Sequence, residues 1–286
     1  MSHKRRLRWI VVLVVVAVLA LVGTLTDSGE DENTATPPAG TAFATTTAPL
    51  PTTGASSTRR DDTQAAAAGP APTASAVPAT TTTPPAGPVA TTRWILGGVP
   101  IKGRAPKTGY ERSEFGPAWT DDVAVPGGHN GCDTRNDILR RDLTATSTRP
   151  GTRNCVVLTG VLADPYTGKR IDFTRGQTTS SAVQIDHVVA LNDAWQKGAQ
   201  QLSTDRRRML ANDPLNLLAV DGPANNQKGA GDAATWLPHN KGFRCRYVAL
   251  QTNVKARYDL WMTRAEHDAI SRILSGCSDA QVGAIG

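Results

Sequence analysis

Q-I-D-H-V-V-A-L, residues 184–191, and N-L-L-A-V-D-G-P-A-N-N-Q-K-G, residues 216–229, bracket the stretch that decides how this chain folds. The first segment sets Asp186 beside His187; the second carries Asn216, Asn225, Asn226 and Lys228. Val183, Ile185 and the valines after His187 suit a strand, because β-branched side chains pack well on a pleated surface. That strand should turn into helix near Ala190. N-D-A-W-Q-K-G-A (192–199) and S-T-D-R-R-R-M-L-A-N (203–212) read as helical, and L-N-L-L-A-V (215–220) as a short strand. Pro223 then opens an asparagine-rich turn and a helical element running toward Trp236.

Neighbouring side chains on a strand point to opposite faces, so of Asp186 and His187 one can bind a metal while the other faces water. His187 is the candidate general base. Asp186 and the carboxamide of Asn225 offer hard oxygen ligands of the kind Mg²⁺ or Mn²⁺ takes. Lys228, three residues after Asn225, lies about one helical turn away and would meet the same phosphate. Asn226 stays open as the alternative ligand, and only the spacing to Lys228 favours Asn225. Phosphodiester hydrolysis calls for this set: a base for water, a cation for the developing charge, and contacts that hold the backbone in line.

Outward from this stretch, C-V-V-L-T-G-V-L-A-D-P-Y-T-G-K-R-I-D-F (155–173) has two apolar runs around the turn residues Asp164–Gly168, which predicts a β-hairpin. In G-C-D-T-R-N-D-I-L-R-R-D-L (131–143), Asp133 or Thr134 caps a helix with Ile138, Leu139 and Leu143 on one side. Arg135, Arg140 and Arg141 leave by its other faces, either as a solvated surface or as nucleic-acid contacts. Two amphipathic helices close the chain, about 243–260 and 263–274, the second with Thr263 and Glu266 in capping-box spacing. Trp195, Trp236 and Trp261 sit in apolar patterns and read as core, His239 reads as surface and His129 as structural or solvated, while the Arg206–Arg208 run reads as a solvated helix face with nucleic-acid contact the alternative.

The beginning of the chain is of another kind. H-K-R-R-L-R (3–8) precedes an apolar run from Trp9 that ends before Asp27, the pattern of an export signal. At about 18 residues the run is at the lower edge of a spanning helix, so cleaved signal peptide and retained membrane anchor stand level for residues 1–26. Residues 27–92 are Thr, Ala, Pro, Ser and Gly with few large apolar side chains, the composition of a disordered stalk. Residues 93–286 remain as a single domain, with 25 basic and 19 acidic side chains, a balance that favours an anionic partner. Behind an export signal, Cys132, Cys155, Cys245 and Cys277 read as two disulfides. Three connectivities are open; pairing Cys132 with Cys155 and Cys245 with Cys277 closes the shortest loops.

The motif itself resembles a family. Asp186-His187, Asn216, then Asn225 nine residues on, with Lys228 and Gly229 after it, is similar to the HNH nucleases of the His-Me finger (ββα-metal) class. From about Gly109 to Cys277 the wording resembles the HNH domain at the C-terminus of GmrSD-type restriction enzymes, in particular its exported actinobacterial relatives: G-C-D-T-R-N-D-I-L, D-H-V-V-A-L-x-x-A-W, N-L-L-A-V-D-x-x-x-N-x-x-K-G, W-L-P and V-K-A-R-Y. The resemblance implies an α+β fold, a ββα-metal core over 184–229 with additional helices and a β-hairpin. It implies that Asp186 and Asn225 bind a divalent metal, that His187 is the base, and that Asn216 braces the histidine loop. The final H of the family name is Asn here. Many relatives carry a zinc-binding cysteine frame, but this chain has Val220 or Asp221 and Ala224 at those places, so disulfides and packing must replace it.

The resulting expectation is an exported, metal-dependent endonuclease acting on nucleic acid, DNA rather than RNA. No second recognition domain is visible, which points to little sequence specificity. A metal-dependent cell-wall hydrolase is the rival enzyme class, disfavoured because no H-E-x-x-H or other familiar zinc spacing occurs. A non-catalytic surface-binding module on a stalk is the rival without chemistry.

Overall fold

Strand alternation and helix capping, the two local signals strongest in the sequence, organise the computed structural model, which describes residues 85–285. The expected export segment and nearly all of the expected stalk lie outside those residues. Among the described residues no helix is long and apolar enough to cross a membrane. The fold is mixed α and β. Helix α1 (Pro88–Gly98) begins with proline in its first turn, where the missing N–H costs nothing. It starts inside the stretch expected to be linker up to residue 92. Leu96 and Val99 supply the apolar surface that fixes it on the domain.

Helix α2 (Thr134–Asp142) is capped by Asp133, whose side chain accepts from the Asn136 N–H. Strand β1 (Leu143–Thr148) follows at once and pairs antiparallel with β2 (Val157–Ala163), which pairs with β3 (Arg170–Thr174). The β2–β3 hairpin is the expected one, and its turn is held by Asp164, which accepts from the Thr167 N–H at 2.7 Å and from the Asp221 N–H at 2.9 Å. β1 is an addition to the sequence reading: five of its six residues are Thr, Ser or Ala, and it is an edge strand exposed along most of its length.

A second sheet pairs β4 (Val183–His187) with β5 (Leu217–Asp221), antiparallel, with Asp186 opposite Leu218 and His187 opposite Leu217. Between them run α3 (Leu191–Trp195) and α4 (Thr204–Asn212), the latter capped by Ser203. Helix α5 (Gly222–Lys228) follows β5 directly, capped by Asp221, and packs on both strands. It ends far short of Trp236, because Gly229 takes a positive φ of 51° and breaks the helical run. Helices α6 (Arg244–Arg257), α7 (Arg264–Leu274) and α8 (Asp279–Val282) complete the chain.

One face of the β4–β5 pair turns Val183, Ile185, Leu217 and Ala219 into a core with α2 and the three-stranded sheet. Val220 and Val188 belong instead to the core built on Tyr166, Tyr247, Val248 and Ile270. A third cluster joins Phe115, Trp195, Leu210 and Tyr258. Thr263 caps α7 through the Glu266 N–H, yet the reciprocal arm of the expected capping box is absent. The Glu266 carboxylate goes to Lys197 at 2.6 Å and Lys255 at 2.5 Å instead. These two lysines also meet Asp193, Lys197 reaches Asp232, and Arg104 bonds both aspartates from the surface, so two buried lysines and one partly exposed arginine balance three buried carboxylates. Both expected disulfides, Cys132–Cys155 and Cys245–Cys277, are present.

Candidate functional site

At the end of β4 the pleat sends His187 toward α4 and Asp186 toward α5. His187 is buried, with Nε2 at 2.9 Å from the Ala211 carbonyl oxygen. A carbonyl only accepts, so Nε2 carries the proton and Nδ1 keeps the lone pair. Burial lowers the His187 pKa to about 3, with the positive charge of Arg112 adding to the effect, the Ala211 bond opposing it and Lys228 lowering it further. The ring is therefore a neutral base of fixed tautomer. Trp119 stacks on it, ring centroids 5.8 Å apart and planes within 13°. Trp119 has a φ of 56°, a costly conformation for a bulky residue and of the kind that gathers at working sites.

Asp186 is equally buried, and both of its oxygens are bonded. Tyr166 donates its hydroxyl to Oδ2, and Lys228 Nζ donates to Oδ1 at 2.9 Å. Burial raises the Asp186 pKa; Lys228 and the Tyr166 hydrogen bond pull against that rise. The Lys228 ammonium also donates to the His187 carbonyl oxygen at 2.8 Å. Helix α5 sets Lys228 over Asp186 and, one turn earlier, Asn225 over Gln184, whose Oε1 accepts from Asn225 Nδ2 at 2.8 Å. That bond engages the amide nitrogen, and among the described residues no donor meets the Asn225 side-chain oxygen, while Asn226 is exposed. Asn216 is completely buried; its Oδ1 accepts from the Val189 N–H, and its Nδ2 donates to the carbonyls of Val189 and Leu210. It thereby joins the residues after His187 to the segment holding His187's acceptor, Ala211.

The three arginines of α2 are turned to the protein itself. Arg135 bonds the Val183 carbonyl, Arg140 bonds Asp137 and the Asn154 carbonyl, and Arg141 bonds Asp142 and the carbonyls of Pro214 and Leu217. Arg141 thus clamps the start of β5. Arg206–Arg208 likewise contact the Arg257 carbonyl, Glu114 and Asp205. His129 and His239 are exposed, and Trp195 and Trp261 are core, as the sequence indicated.

Four residues of the site were not singled out in the sequence. Tyr166 is brought in by the hairpin turn, Trp119 by a loop, Arg112 by the short 3-10 helix Arg112–Phe115, and Gln184 by standing two residues before Asp186 on the same strand face. The D-P-Y-T-G turn offered the one local signal, a large aromatic where turns normally carry polar residues.

Among the described residues no three His, Cys, Asp or Glu side chains gather as metal ligands. Two oxygens do converge on one point, Asp186 Oδ1 and the His187 carbonyl, with the Asn225 oxygen on the same helix face as Lys228. This hard-oxygen set suits a cation of the Mg²⁺ or Mn²⁺ type, and the positive charge that meets it in the structure is the Lys228 ammonium.

Comparison with known proteins places this architecture. The family described as the C-terminal domain of GmrSD restriction endonucleases matches residues 133–273, a span that holds α2, both sheets and every residue of the site but Arg112 and Trp119. A protein of Arthroderma benhamiae described as an uncharacterized secreted protein is 35% identical over 190 residues, covering 66% of this chain and 85% of the relative. No solved structure matches. With Asp186, His187, Asn216, Asn225 and Lys228 all inside the matched span, this chain belongs to the family of GmrSD restriction endonuclease C-terminal domains.

Proposed function

We propose that this protein is an exported HNH endonuclease of the His-Me finger class, dependent on a divalent metal, Mg²⁺ or Mn²⁺, and cutting DNA with little sequence specificity. The observation that carries the reading is the neutral His187, fixed as the Nε2–H tautomer by Ala211, beside Asp186 on a strand pair closed by α5. In this reading His187 Nδ1 takes a proton from water as the water oxygen bonds phosphorus and one ester P–O bond breaks. A metal held by Asp186 and Asn225 would supply charge neutralisation at the phosphate and leaving oxygen. Asn216 is a positioning residue, since its carboxamide ties both sides of the His187–Ala211 bond. The two disulfides and the secreted relative support export. Arg112, exposed and close enough to His187 to shift it electrostatically, is a further candidate phosphate contact beside Arg135, Arg140 and Arg141 of α2, of which Arg140 and Arg141 are also exposed.

The test is incubation of the purified protein with supercoiled plasmid. Nicking in Mg²⁺ or Mn²⁺ that EDTA stops and added metal restores is the expected outcome. An intact plasmid under all metal conditions would favour the non-catalytic surface module.

A further inference from the structure

Lys228 is not where a phosphate-binding lysine would sit. Its ammonium is fully buried and donates to Asp186 Oδ1 at 2.9 Å and to the His187 carbonyl at 2.8 Å, while Tyr166 closes Asp186 Oδ2. A hard divalent cation on the same two oxygens would stand about 2–2.6 Å from each, inside the volume the ammonium fills. Like charges at that separation in a buried site repel strongly, so both cannot be present at once.

We propose that the Lys228 ammonium and the divalent metal are alternative counter-ions of Asp186, and that metal binding expels Lys228 from the site. This deepens the nuclease reading and rests on it for its meaning. In the metal-free protein Lys228 keeps a buried carboxylate paired, without which that carboxylate would destabilise the fold. On metal entry the ammonium is released from Asp186 Oδ1 and the His187 carbonyl at the end of α5. A purely structural ion pair, clamping α5 on β4, would stay in place when metal is added. Competition predicts the reverse.

The experiment reads the lysine and the metal directly, apart from cleavage. In protein labelled with ¹⁵N-lysine, the ordered Lys228 ammonium should give a protected resonance, assigned by its loss in Lys228→Arg. Titration with Mg²⁺ should abolish or shift that resonance in step with metal binding. Calorimetry should find Mg²⁺ or Mn²⁺ bound at least tenfold more tightly by Lys228→Met than by the wild type, and the gain should vanish in Lys228→Met with Asp186→Asn. Metal that saturates the protein while the Lys228 resonance stays unchanged overturns the proposal, as does absence of metal binding in both wild type and Lys228→Met. Should Lys228→Met fold poorly, the wild-type resonance decides alone. Plasmid nicking is scored separately: cleavage with an unmoved Lys228 removes only this inference, whereas exchange without cleavage keeps it and removes the nuclease reading.

Discussion

His187 carries a pH signature that follows from its burial. Its pKa falls from the ordinary 6.5 to about 3 in the fold. Between those values the unfolded chain binds a proton on this residue that the folded chain refuses, so stability rises with pH there. The contribution is complete above about pH 6.5 and is lost as pH falls toward about 3. Asp186, raised by burial, works in the opposite sense, so His187→Gln, which cannot titrate, is the reference that isolates the histidine. From pH 7 to pH 4.5 the wild type should lose roughly a hundredfold in its folding equilibrium relative to His187→Gln, read by urea unfolding at each pH. Parallel losses in the two proteins would mean that His187 titrates normally. At this scale the Asp186–His187 dipeptide and the asparagine spacing were legible, because they lie in one stretch. Trp119, Tyr166 and Arg112 were not, because they reach His187 and Asp186 only after a loop or a hairpin has folded onto β4.

The elements that were legible are those whose signal is local. The β2–β3 hairpin has its turn residues, β4 and β5 have their apolar alternation, and α2, α4 and α7 have Asp133, Ser203 and Thr263 as caps. β1 escaped because its residues are polar and its pairing partner lies beyond a loop. The length of α5 was overestimated because Gly229 ends it, well before Trp236. Asn216 shows how these elements depend on one side chain. Asn216→Ala would orphan the buried Val189 N–H and the Leu210 carbonyl, at about 1–3 kcal/mol, and would loosen α4 from the end of β4. Urea unfolding should show that loss. Nicking should fall further than the loss of folded protein accounts for, because Ala211 no longer holds the His187 ring. Activity that tracks folded fraction alone would make Asn216 a structural residue only.

The molecule as a whole is held by devices of different legibility. The disulfides could be anticipated from even cysteine count and loop length. The ion network could not: Arg104, Asp193, Lys197, Asp232, Lys255 and Glu266 carry no pattern in the sequence and become a charge-balanced cluster only when α3, α6, α7 and the loops after α1 and α5 meet. Lys197→Met would remove the one cation that meets all three carboxylates, leaving two cations for three, and should cost roughly 3–5 kcal/mol, seen as a lowered melting temperature. A change within a degree or two would show that solvent reaches the cluster. The same architecture keeps β4 between two cores, which is what holds His187 in place against Ala211. The most direct measurement of the central claim is therefore nicking of supercoiled plasmid by His187→Ala in saturating Mg²⁺ or Mn²⁺, with folding and metal binding checked on the same sample. Loss of about 10²–10⁴-fold in rate with fold and metal binding retained is the predicted result; cleavage within a few-fold of the wild type by a well-folded His187→Ala would contradict it.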